Sequence, residues 1–336
     1  MLRQIEGEVL VPSYLDSDEE GSWLSLDDKG APVYQKLRKI PFRVHVPRCA
    51  EQATGPLPVL MFGHGLFAAL KGEMLSDYHK ALHDRLCMVQ VGMAWNGLAE
   101  PDIIAIVETV ILDFSKLPRI TDQLQQSHLN WQVFVKLMQG AIWQDPALQV
   151  GGKPVSDGKE LYYYGISNGG IQGVAFAALT KEIERFVFNV SGGMWSLMMQ
   201  RSSNFEMFAV LLNQIYADPL DRLILISLSQ HLWDYTDPIS FARHVRAAPF
   251  PGRAPKRVVL QESKDDDQVP NLSTRVVARA LGLEALDPMV EPVYGLTAEQ
   301  GPLDYAFAQW NVDPKLKPPG TNKPAPKPKR EESAHH

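Results

Sequence analysis

Apolar residues fall along this chain in short continuous runs separated by longer stretches with helical spacing. Leu57 to Phe67 (LPVLMFGHGLF), Glu160 to Tyr164, Arg185 to Val190 and the start of RVVLQESKDDDQVP at Arg257 read as buried strands, because no regular polar alternation interrupts them. Residues 5 to 46 read differently, as a β-rich entry with strands at Ile5 to Val11 and, alternating in character, Phe42 to Val46. Between and after the buried runs, helices are predicted over Glu73 to Leu86, Thr121 to Gly140 and Asn271 to Leu281, with further strands at Cys87 to Ala94 and Tyr305 to Val312. From Met194 to Val245 the period is helical throughout. Ser203 with Glu206 three residues on reads as a capping box, and Asp218 followed by Pro219 as an N-cap with proline in the first turn.

One junction carries chemistry. Leu161 to Gly173, LYYYGISNGGIQG, is strand, sharp turn and small-residue helix, with Ser167 at the turn. Gly-x-Ser-x-Gly keeps small residues on both sides of the serine, where the flanking backbones come too close for side chains. The following helix presents its positive end to charge forming beside the hydroxyl. About a hundred residues upstream a strand runs into His64-Gly65, and about a hundred downstream another runs into Asp266-Asp267-Gln268-Val269-Pro270.

In this order the three pieces resemble the α/β-hydrolase superfamily, over roughly residues 57 to 336. The resemblance implies an α/β fold: a mostly parallel central sheet flanked by helices, its core at 57–193 and 246–336. It also implies a helical cap insertion at 194–245 and a β-rich segment, 1–56, packed on the body. Ser167 would be the nucleophile and Asp266 the acid, with Asp267 as alternate. The oxyanion hole would use the backbone N–H groups of Leu66 and Asn168. The triad runs serine, acid, histidine along such chains, so of the nine histidines only His335 and its alternate His336 follow Asp266. That reading makes Asp313 to Ala334 the histidine-bearing loop, against two blander ones. By composition Lys315 to Arg330, with six basic residues, five prolines and no acid, is a disordered basic tail, and the final histidines are a tag remnant.

The activity implied is cleavage of a carboxylic ester, small-molecule or polymeric, through an acyl-enzyme, with no metal and no organic cofactor. An amidase or peptidase of the same fold, or a catalytically silent binding module, are the alternatives. Phe67, Met194, Trp195, Met198, Met199, Phe205, Met207 and Phe208 are candidates to line an acyl or aromatic pocket, Met being adaptable. The opposing reading has them pack the cap onto the body.

Other features change the picture little. His79 and His83 share a helix face without the glutamate of a zinc-protease motif, and read as a solvated face. The acidic loop from Asp16 to Asp27 has EF-hand-like spacing but ends in Asp, and Pro12 spoils an entering helix, so it reads as a hairpin connection. Cys49 and Cys87 are expected as buried thiols, with one bridge as the second reading. A net charge of −6 gives no reason to expect nucleic acid or an anionic membrane as partner. Glu108 interrupts the Ile103 to Leu112 run, so no membrane span is expected. The N-terminus lacks signal-peptide character. A cytoplasmic location follows if the chain is complete, a secreted or cell-envelope one if a leader has been removed; oligomeric state is left open.

Overall fold

The structure, a computed structural model, describes residues 1–335; His336 and the side chains of residues 109–111 lie outside the description. Among the described residues ten strands form one sheet: β1 (Arg3–Ser13), β2 (Lys36–Val46), β3 (Val59–Gly63), β4 (Val89–Met93), β5 (Leu161–Ile166), β6 (Arg185–Asn189), β7 (Arg257–Ser263), β8 (Glu284–Leu286), β9 (Ala298–Glu299) and β10 (Tyr305–Trp310). Their order is β1-β2-β4-β3-β5-β6-β7-β10-β8-β9. The β-rich entry is an antiparallel hairpin whose second strand joins β4, and from β4 onward the neighbours run parallel. Every residue of β3 and β4 is buried, as continuous apolar runs in a sheet covered on both faces require. β8 and β9 fall in the proline-rich passage, where runs of two and three residues are too short to show a period.

The helices are α1 (Leu70–Met74), α2 (Asp77–Leu86), α3 (Asp102–Ala105), α4 (Pro118–Met138), α5 (Asn168–Leu179), α6 (Trp195–Arg201), α7 (Glu206–Ile215), α8 (Pro219–Trp233), α9 (Pro238–Val245) and α10 (Asn271–Leu281). The pleat sorts the strand residues between two layers. Val59, Met61, Tyr163, Phe186 and Phe188 join the main core with Trp131 and Phe134 of α4 and Phe176 of α5. Leu60, Phe62 and Tyr164 point the other way, toward Met74, Leu70 and Leu82 of α1 and α2. Helices α6 to α8 pack in a third cluster with Leu98, Leu117 and Leu124, whereas α9 lies on α5 and α10 with Ala242 and Val245 in the main core.

Two readings from the sequence are overturned here. Cys49 and Cys87 are a disulfide, Cα–Cα 5.9 Å, because the turn after β2 and the end of α2 meet. The face of α2 bearing His79 and His83 is buried: His79 Nδ1 meets Gln90 Nε2 of β4 at 3.0 Å, and the His83 ring lies edge-on to His45 of β2. Periodicity located the shared face but not the sheet behind it.

The junction between β5 and α5 positions everything that follows. A Cβ on Gly169 would lie 2.0 Å from the Gly63 carbonyl oxygen of β3, and one on Gly165 would lie 2.2 Å from the carbonyl oxygen of Gly169. Both obstacles are backbone, which cannot swing aside. Gly169→Ala should therefore destabilise the protein by roughly 1–3 kcal/mol or more, read as a lower midpoint in thermal unfolding. An unchanged midpoint would show that α5 is not held this close to the sheet.

Candidate active site

Ser167 sits where β5 becomes α5, with φ 53 and ψ −118, a conformation that side-chain-bearing residues rarely adopt. Holding it costs on the order of 1–3 kcal/mol, which the surroundings must supply. Its N–H donates to Asn189 O at 2.9 Å, its C=O accepts from Ile171 N–H at 2.9 Å, and the Tyr163 hydroxyl donates to Gly169 O at 2.6 Å inside the first turn of α5.

Asp266 follows β7, beyond the same ends of the parallel strands that Ser167 follows. Its Oδ1 accepts N–H bonds from Gln268 (2.8 Å) and Val269 (2.9 Å), which fix the carboxylate, and His335 Nδ1 lies 2.8 Å from Oδ2 and 3.0 Å from Oδ1. Both side chains are buried. A carboxylate on Nδ1 puts the proton there and the lone pair on Nε2, the tautomer a general base needs. Burial alone would push the His335 pKa down; Asp266, Asp267 and Glu73 outweigh it, and the net shift is upward.

Asp267, the alternate acid, does other work. It accepts the hydroxyls of Ser203 and Ser333, each at 2.5 Å, and Ser333 Oγ in turn accepts the His335 N–H at 3.1 Å. One acid thus faces the imidazole and its neighbour anchors the loop that carries it. Ser203 is consequently not the cap of α7, which starts at Glu206 with no side-chain cap. Nor is the segment before His335 the disordered tail its composition suggests. It lies across α6 and α7: Arg201 Nε donates to Asn322 Oδ1 (2.7 Å), Ala325 N–H to Arg201 O (3.2 Å) and Lys327 N–H to Glu206 Oε2 (3.3 Å).

The loop after β3 is pinned on both sides of Gly65. Trp95 N–H donates to His64 Nε2 at 2.8 Å, so Nδ1 carries the proton and donates to Gly65 O at 2.7 Å. Burial pushes His64 down to about 4, which keeps it neutral in this role. Gly65 O and Leu66 N–H belong to one planar peptide, so the same contact sets where Leu66 N–H points. Among the described residues neither Leu66 N–H nor Asn168 N–H has a hydrogen-bond acceptor. Gly65 is also the bridge across the site: a Cβ there would lie 3.7 Å from Ser167 Cβ and 3.4 Å from Glu73 Oε1, and Glu73 in turn feels the charge of His335.

Beside this loop a cavity of about 490 Å³ opens toward helices α6, α7 and α8, within the usual size of a ligand pocket. Phe67 and Phe208 line it, with Phe205 and Met199. Met194, Trp195 and Met198 do not: Met198 packs toward Gly192, Trp195 stacks on Trp233 at 4.7 Å, and Met194 N–H is held by Asp237. Among the described residues no cluster of His, Cys, Asp or Glu is arranged to hold a metal ion, and no helix is long and apolar enough to cross a membrane.

The sheet order, the strained serine between β5 and α5 and the acid after β7 make this an α/β-hydrolase fold. No protein-family model and no curated protein sequence matches the chain. Solved structures of similar shape include an acetyl xylan esterase from Thermoanaerobacterium sp., 13% identical, covering 91% of this chain and 83% of that one with a TM-score of 0.49. Another is an acetyl xylan esterase from Paenibacillus sp., 15% identical over 90% of this chain and 83% of that one, TM-score 0.46. A third is the Pyrococcus horikoshii acylaminoacyl peptidase, 14% identical over 81% of this chain, TM-score 0.45; this chain spans 35% of its length.

Sequence reasoning missed Glu73 and Ser333. No motif marks either one, since Glu73 looks like any polar residue of a helix and Ser333 acts through a loop contact.

Burial pushes His45, His64, His79 and His128 down to about 4, and His83 in the same direction. In the unfolded chain these rings titrate near 6.5, so below that value the unfolded state binds more protons and stability falls with pH. His335, shifted upward, opposes them as one ring against five. Asp102, raised by burial to about 6, and the raised Glu73, Asp122 and Glu262 also oppose, but carboxyls start from unfolded values near 4 and act mostly lower. The urea midpoint should therefore drop between about pH 7.5 and about pH 6. A midpoint that holds or rises over that interval would contradict the neutral, buried state of these rings.

Proposed function

We propose that the protein is a serine hydrolase that cleaves a carboxylic ester through an acyl-enzyme intermediate, with Ser167 as nucleophile, His335 as general base and Asp266 as the acid that orients it. The observation that carries this reading is the buried contact of His335 Nδ1 with Asp266, 2.8 Å, made by the last described residue of the chain. A long proline-rich segment is held across the cap and ends with an imidazole in the tautomer that accepts a proton at Nε2.

In the first half-reaction His335 Nε2 takes the Ser167 hydroxyl proton as Oγ adds to the ester carbonyl. The tetrahedral oxyanion is received by Leu66 N–H and Asn168 N–H at the positive end of α5. Collapse expels the alcohol, which leaves with the proton from His335, and Ser167 retains the acyl group. Water then repeats the sequence: His335 removes its proton, the hydroxide equivalent attacks, and the carboxylic acid leaves with Oγ reprotonated. The cavity beside Phe67, with walls of Phe205, Phe208 and Leu212, suits an apolar acyl or aromatic group.

Hydrolysis of p-nitrophenyl esters of increasing acyl length tests this. Ser167→Ala should lower kcat by roughly four or more orders of magnitude with the thermal midpoint retained, and Asp266→Asn by roughly three to four orders. Asp267→Asn should cost far less, because it loosens the loop without turning the imidazole. Retention of most activity in Ser167→Ala, or equal losses for the two aspartate variants, would contradict the assignment.

A further inference from the structure

One buried acid near Ser167 has no part in the mechanism above. Glu73 lies on the short helix α1, and its Oε2 accepts the Gly65 N–H at 2.9 Å. Gly65 is held on its other side as well, since its C=O accepts from His64 Nδ1–H at 2.7 Å and from Ala68 N–H at 3.2 Å. The peptide before Gly65 is therefore fixed by Glu73 and the peptide after it by His64. The second of these peptides contains the Leu66 N–H. Glu73 Oε1 reaches toward the same side of Gly65 as Ser167 Cβ.

We propose that Glu73 is a positioning residue for this site: its carboxylate holds the Gly65 peptide so that Leu66 N–H faces the reacting carbonyl, and its charge, set opposite His335, favours the imidazolium that forms when the base takes a proton. This rests on the assignment of Ser167, His335 and Leu66 above. The charged groups facing Glu73 are His335 and Arg330, and those facing His335 are Asp266, Asp267 and Glu73. Burial holds the Glu73 pKa above the usual carboxylate range, against the Gly65 N–H, His335 and Arg330, which lower it. A glutamate kept only for packing would need neither the Gly65 contact nor the imidazole.

Glu73→Gln and Glu73→Ala separate the two effects. Glutamine keeps a carbonyl oxygen for Gly65 N–H but removes the charge; alanine removes both. For p-nitrophenyl ester hydrolysis, Glu73→Ala should lose roughly tenfold to a hundredfold in kcat with little change in KM, a part of what a missing oxyanion donor costs. Glu73→Gln should lose much less, yet in both variants the acid limb of the kcat/KM profile should move to lower pH by roughly 0.5 unit, because His335 loses a neighbouring negative charge. Wild-type kcat and an unmoved acid limb in Glu73→Ala would overturn the proposal, as would equal losses in the two variants with no pH displacement, which would mark Glu73 as structural. Ser167→Ala assayed in parallel keeps the two levels apart. If it is inactive while the Glu73 variants match wild type, only the role of Glu73 fails; if it stays active, the underlying assignment fails and the role of Glu73 with it.

Discussion

The buried contact between His335 and Asp266 is the constraint on which the rest of the site depends. Burying an imidazole and a carboxylate is costly unless each finds partners. Here the carboxylate has two backbone N–H donors of its own loop before the imidazole arrives. The imidazole is carried by a segment whose regular structure, among the described residues, is a single 3-10 turn at Arg330–Glu332, and its place is bought by contacts along the way: Asn322 and Ala325 on Arg201, Lys327 on Glu206, Ser333 on Asp267. Helices α6 and α7, which line the cavity, therefore also hold the segment that brings His335 to Asp266, so their position and that of the imidazole are physically coupled.

On the other side of Ser167 the constraint is steric. Helix α5 begins so close to β3 and β5 that no Cβ fits at Gly165 or Gly169, and the serine between them is forced to a positive φ. Strain of this kind persists only where neighbours over-determine the backbone, and here Asn189, Ile171 and Tyr163 do so. The loop after β3 repeats the pattern with hydrogen bonds instead of crowding: His64 and Glu73 fix the two peptides around Gly65. In the proposed mechanism Ser167 and this loop would enter the reaction already set, and a reacting carbonyl would meet donors that need little rearrangement.

How much of this was legible in the sequence depended on whether a residue acts through its neighbours in the chain. The strands at Val59, Leu161, Arg185 and Arg257 showed as apolar runs because both faces of the sheet are covered. The serine turn showed because its glycines answer a local steric demand. What was not legible depends on the third dimension. His79 and His83 share a face in any helix, but only the sheet decides that this face is inward. Cys49 and Cys87 are 38 residues apart and meet only when β2 and α2 have packed. Of the residues between 194 and 208 with pocket-lining chemistry, Met199, Phe205 and Phe208 line the cavity while Trp195 and Met198 turn inward and Met207 is exposed; that adjacent Met198 and Met199 part company is something composition cannot show. By composition alone residues 315–330 are a disordered tail, whereas the order of the motifs made them part of the histidine-bearing loop; hydrogen bonds to Arg201 and Glu206 of α6 and α7 seat them.

The most direct measurement of the central claim is reaction of the intact protein with a fluorophosphonate, followed by mass spectrometry of the peptides. Wild-type protein should gain one adduct, on Ser167, and His335→Ala should lose nearly all of that labelling while keeping its thermal midpoint. An unlabelled wild-type protein, an adduct elsewhere, or labelling of Ser167 that proceeds equally well without His335 would contradict the account.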